Sequence, residues 1–203
     1  MLKHLNVFRE NLKKIIRRER SRDLPANPTS LAHLGTIPDK YQKTEVGDKF
    51  LLYDNIEDDD SGETEDRVIV FGTLRNISLL SKCKTWYLGG TFKTAPNIFT
   101  QIFVIMGAVT RPAPGVDEEP LTIAVPLVYS LLSSKTTESY EAVLRAVKDE
   151  ARRQGVANVT PETVMTDFEL AIKNATEVVF SSSSVKCCFF HLGQSLYRYA
   201  KCE

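Results

Sequence analysis

The sequence predicts a mixed α/β domain, a sheet of short apolar strands with amphipathic helices packed on it. Three observations lead there. Between residues 86 and 132 three apolar runs of strand length follow one another, and beyond them two more alternate with stretches of helical periodicity. At 203 residues the chain has the length of one ordinary α/β domain with a short appended arm. Its composition, 42% hydrophobic and 26% charged, is that of a soluble globular protein. No apolar run approaches the roughly 20 residues of a membrane helix, so no membrane association is expected.

Leu2, Leu5, Phe8, Leu12, Ile15 and Ile16 recur at spacings of three and four with basic residues between them, which predicts an amphipathic helix over residues 2–20. Its stripe can dock on a neighbour with the charges in water, or its charges can lie on phosphate; the two are compatible. Pro25, Pro28 and Pro38 then break the chain into an extended linker, since each removes a backbone donor and biases its predecessor away from helix. Residues 1–46 therefore read as a basic arm and linker, and residues 47–203 as the domain.

Lys49–Tyr53 and Arg67–Phe71 are β-rich runs, a hairpin or adjacent strands, on either side of an acidic stretch. Residues 54–66 carry eight Asp or Glu and no Lys or Arg. The stretch lacks the alternating acidic order and distal glutamate of a calcium loop, so a solvated, self-repelling loop is expected. Arg75–Ser81 makes a short helical turn. Trp86–Leu88, Phe99–Val109 and Ile123–Leu132 follow as strands, with Gly107, Pro112, Pro114 and Gly115 marking the turn between the second and third.

Thr136 to Ser139 opens a helix with a hydroxyl cap, Tyr140, Val143, Leu144 and Val147 form its buried stripe, and Gly155 ends it. Val164–Thr166 is a fourth strand, Phe168–Phe180 a second helix, Val185–Phe190 a fifth strand, and a last helix starts near His191. The order β-β-β-α-β-α-β is ribonuclease H-like. In such a sheet the first and fourth strands are neighbours, which brings position 89 beside position 167.

Several chemistries are excluded. There is no G-x-x-x-x-G-K-[ST] or G-x-G-x-x-G, so no nucleotide cofactor is expected. Cys83, Cys187, Cys188 and Cys202 have no disulfide-framework spacing, and the charged N-terminus is unlike a signal peptide. Glu10 and Glu19 argue against a mitochondrial presequence. Cys187, Cys188, His191 and Cys202 supply zinc-compatible atoms, yet adjacent cysteines on a strand face opposite ways. Buried strand cysteines and a helix-start histidine are the expectation.

Three motifs, G-T-F-K-T-A-P at 90–96, M-x-D-F-E at 165–169 and C-x-x-H at 188–191, occur in the order and spacing of the Mutator-like (MULE) DNA transposases, whose catalytic domain this chain resembles from about Pro28 onward. The resemblance implies a two-metal Asp-Asp-Glu site using Mg²⁺ or Mn²⁺, DNA as partner, possible homo-oligomers, and a nuclear location. Gly89, Gly90, Thr91, Phe92 and Lys93 occupy the family's W-x-x-D-G-T-F-K block, and Cys188 and His191 its C-x-x-H element. Asp167 matches the second catalytic aspartate, and so a metal ligand; the residues alone equally allow an N-cap of the helix that follows. Glu169 reads as a first-turn residue favoured by the helix dipole.

Two departures stand out. Position 89 is glycine where the family has its first aspartate, and the family's glutamate lies on a helix later than Glu203. Glu177, Asp117, Glu118 and Glu203 do not stand in for it. Metal binding is therefore expected to be weak or absent, and strand transfer lost. The family's N-terminal zinc finger, often of FLYWCH type, has no counterpart spacing before residue 23. Lys13, Lys14, Arg17, Arg18 and Lys93 remain as candidate DNA contacts of a salt-sensitive, sequence-independent kind. The alternative is a non-enzymatic DNA- or protein-binding use of the same scaffold.

Overall fold

The computed structural model describes residues 2–22, 27–58, 66–111, 115, 120–156 and 159–201. Among them one seven-stranded mixed sheet forms from β1 (Leu51–Asp54), β2 (Val68–Phe71), β3 (Thr85–Thr91), β4 (Gln101–Arg111), β5 (Leu121–Leu132), β6 (Thr163–Thr166) and β7 (Ser184–Cys187). The spatial order is β1-β2-β5-β4-β3-β6-β7. β3, β4 and β5 pair antiparallel in succession, whereas β6 runs parallel to β3 and β7 parallel to β6. The helices are α1 (Leu2–Ser21), α2 (Leu31–Leu34), α3 (Leu74–Leu80), α4 (Thr137–Arg153), α5 (Leu170–Val179) and α6 (Phe189–Lys201). No helix of the described residues is long and apolar enough to cross a membrane.

Strand alternation decides which face is the core. Along β4, Gln101, Phe103, Ile105 and Gly107 are buried while Ile102, Val104 and Met106 are only half covered, the period-2 signature of a sheet packed on one side. The buried side of β3 carries Trp86 and Leu88, and that of β6 carries Val164. Against this side pack Ile77 and Leu80 of α3, Tyr140, Val143, Leu144 and Val147 of α4, and Ile172, Ala175 and Val179 of α5. Trp86 anchors the cluster: its ring is fully buried, meets Phe180 edge-on at 5.4 Å, and donates its indole N–H to the carbonyls of Leu80 and Cys83. The Thr136 hydroxyl accepts from the Ser139 N–H to cap α4, and Gly155, at φ +66°, turns the chain out of it.

The other face is covered only in part. Leu31 and Leu34 of α2, with Ile37 and Ile98, pack over Leu51, Ile69 and Phe99. This corrects the extended linker of the sequence reading: residues 31–34 are a helical turn capped by Ser30, and Asp39–Tyr41 is a 3-10 turn. The proline-bounded segment earns its order from apolar contacts that proline rules do not register. Farther along the same face Tyr87, Val104, Met106 and Tyr129 stay half covered or exposed.

Other expectations also shift. α1 forms over the expected residues, but Leu12, Ile15 and Ile16 are exposed, so no neighbour covers that part of its stripe. The acidic stretch is not uniformly solvated. Asp54 is buried in a bidentate pair with Arg67, at 2.5 Å to Nε and 2.7 Å to Nη2, and Arg67 Nη2 also donates to the Gly35 carbonyl. Residues 59–65 lie outside the described set. β3 continues through Gly89 and Gly90 to Thr91, while the fifth strand of the expected five ends at Cys187 and Phe189–Phe190 open α6.

Candidate active site

The parallel pairing of β3 with β6 sets the geometry. Thr85, Trp86 and Tyr87 stand opposite Thr163, Val164 and Met165. Carrying that register two residues onward puts Gly89 level with Asp167. Gly89 falls on the sheet face opposite Trp86, because side chains alternate along a strand. Asp167 is half-buried just beyond β6, and its Oδ1 accepts the Glu169 N–H at 3.0 Å. It is not the cap of α5: that position belongs to Glu169, whose side chain makes no capping bond.

Gly89 and Gly90 are not equivalent. A Cβ built on Gly89 meets nothing within 4 Å, whereas one on Gly90 comes 2.1 Å from the Gln101 Oε1. Gln101 is held in place, since it is buried and its Nε2 donates to the Tyr140 hydroxyl at 2.6 Å. Tyr140 in turn donates to Glu169 Oε1 at 2.6 Å, and Lys135 pairs with Glu169 Oε2 at 2.8 Å while lying over the Phe92 ring. Burial first, then the hydrogen bond to Glu169, pushes the Tyr140 phenol above its ordinary value. Gln101 and Lys135 were not singled out by sequence, and Tyr140 only as part of a helix's buried stripe; only the folded chain brings them to one strand end.

A two-cation phosphodiester site needs several oxygen ligands converging on adjacent metal positions. Here position 89 supplies none, and the Glu169 carboxylate is engaged by Tyr140 and Lys135. Among the described residues no three His, Cys, Asp or Glu side chains converge as a metal-binding group. The residues do not fit a metal pair. Asp117, Glu118 and Glu203 lie outside the described residues, and Glu177 is exposed on α5, next to Lys173.

The remaining expected site residues sit around this edge or apart from it. Phe92 and Lys93 are exposed in the turn after β3. Cys188 is half-buried between β7 and α6, its N–H bonded to the Thr166 carbonyl at 2.7 Å, and His191 is exposed in the first turn of α6. Cys187 is exposed, so the expectation of buried strand cysteines fails: β7 is an edge strand with nothing packed over that side chain. Cys202 lies outside the described residues. Lys13, Lys14, Arg17 and Arg18 are exposed on α1, in two rows four residues apart, and Lys13 pairs with Glu10 at 2.8 Å.

No match is found among curated proteins or among solved structures. A family model described as MULE transposase domain matches residues 85–195, from the first residue of β3 into α6. That span takes in β3, the Asp167 turn and the C-x-x-H element, and by it the chain belongs to the MULE transposase domain family.

Proposed function

We propose that this chain is a transposase-derived domain with a ribonuclease H-like core that holds DNA but neither cuts nor joins it. Membership of a transposase family supports DNA as the partner and, through it, the nucleus as the location. The strand order supports the core assignment: β5-β4-β3-β6-β7 sets the domain's first strand beside its fourth, with the second strand reversed. One observation carries the loss of chemistry. Gly89 stands level with Asp167 on an open face, where the family's first carboxylate would be, and leaves Asp167 as a lone acidic ligand. One carboxylate cannot hold two divalent ions against a scissile phosphate.

Binding then rests on cations. Lys13, Lys14, Arg17 and Arg18 on α1 and Lys93 beside the site are the proposed phosphate contacts. Incubation of the chain with a labelled terminal-repeat duplex and Mn²⁺ is expected to give no nicking above background. Robust cleavage that Asp167→Asn abolishes would overturn the reading. Gly89→Asp alone is expected to leave strand transfer absent, because among the described residues no third carboxylate converges there and Glu169 is engaged by Tyr140 and Lys135; recovery of transfer by that change would show a third ligand within these residues.

A further inference from the structure

Three neighbouring parallel strands, β3, β6 and β7, end at one edge of the sheet, and each is followed within two residues by an exposed phenylalanine. Phe92 follows β3 and is 50% exposed, Phe168 follows β6 and is 50% exposed, and Phe189 and Phe190 follow β7 at 82% and 65%. Isolated exposed apolar residues need no explanation. Exposed phenylalanines at the ends of three neighbouring parallel strands do.

We propose that this row is a stacking platform for the unpaired bases of single-stranded DNA, a proposal that rests on the DNA-binding reading above and names the form of DNA. Every base has a π-face, so aromatic side chains beside a cationic backbone contact hold single strands without reading sequence. In a duplex those faces are hidden within the stack. The cation available to a phosphate is Lys93, exposed next to Phe92, while Lys135 lies 4.6 Å from the Phe92 ring centroid. Lys135 also neutralises Glu169 at 2.8 Å, which removes one of the two carboxylates that would repel a phosphate. Asp167 remains, near enough for its charge to help hold the Tyr140 phenol protonated.

Fluorescence anisotropy distinguishes this from simple phosphate binding. The probes are a labelled single strand of about 20 nucleotides, an abasic strand of the same length, and the corresponding duplex. The base-bearing strand is expected to bind the chain at least about tenfold tighter than the abasic one. The ratio should fall towards one in Phe92→Ala/Phe168→Ala and persist in Phe92→Trp/Phe168→Trp, whereas Lys93→Ala should weaken both strands alike. Equal binding of the two strands by the unaltered chain, or a ratio indifferent to the double alanine change, would overturn the platform and leave DNA binding standing. Failure to bind any of the three probes would overturn the DNA-binding reading itself, and the platform with it.

Discussion

At the scale of residues, two adjacent glycines have opposite reasons to be there. Gly90 is required by packing: any Cβ would displace the Gln101 amide and break its bond to Tyr140. Gly90→Ala is therefore expected to cost about 1–3 kcal/mol, the range for stranding a buried polar partner, as read from urea unfolding. Gly89 faces open space, so Gly89→Ala should stay within about 0.5 kcal/mol of the parent. Equal losses at both positions would show that backbone, not Gln101, sets the constraint. Tyr140→Phe should cost a further about 1–3 kcal/mol by stranding Glu169 and Gln101. Because the Tyr140 phenol is pushed up, mainly by burial, its contribution is complete below the ordinary tyrosine value of about 10. It is lost only as pH rises through the higher folded value.

At the scale of elements, two ionic contacts built on buried carboxylates hold segments distant in sequence. Asp54 at the end of β1 and Arg67 ahead of β2 clamp the hairpin and, through the Gly35 carbonyl, the segment carrying α2. Arg67→Ala leaves Asp54 buried without its partner, so a loss of about 3–5 kcal/mol is expected in the same unfolding assay. A loss below about 1 kcal/mol would mean that water reaches the carboxylate. Glu150 in α4 ties that helix to the strand-leading Lys49 at 3.3 Å and to Arg153 at 2.8 Å. Burial pushes its carboxyl up, but the Gln154 hydrogen bond, Lys49 and Arg153 together outweigh it and leave it below the usual carboxylate value. A depressed carboxylate stabilises above its unfolded value and loses that contribution as pH falls through its folded one. The urea midpoints of the parent and Glu150→Gln should thus differ near neutral pH and converge as pH falls through the depressed folded value. The strands and α4 were legible because their apolar spacing is long and regular. The Asp54 pair was not, because an acidic run reads as solvated unless its buried Asp54 is known to meet Arg67.

At the scale of the whole molecule, the sheet's neighbours β3 and β6 are separated by 71 residues between Thr91 and Thr163, so only topology brings the strand of Gly89 beside the strand that leads to Asp167. That meeting was legible from element order alone. The network through Gln101, Tyr140, Glu169 and Lys135 was not, since it joins four segments with no shared motif. The fate of α6 also escaped: its Phe189, Leu196, Tyr197 and Tyr199 are exposed rather than packed against the sheet, a property of docking that amphipathic spacing does not determine. With four phosphate contacts from α1, duplex affinity should fall with salt at a log–log slope of about −3.6, measured by anisotropy across salt concentrations; a slope near zero would remove α1 as a DNA arm. Direct titration of Mn²⁺ into the chain, read by electron paramagnetic resonance, bears most directly on the loss of chemistry. The expected result is no bound pair at submillimolar ion. Two Mn²⁺ held per chain, both released by Asp167→Asn, would contradict it.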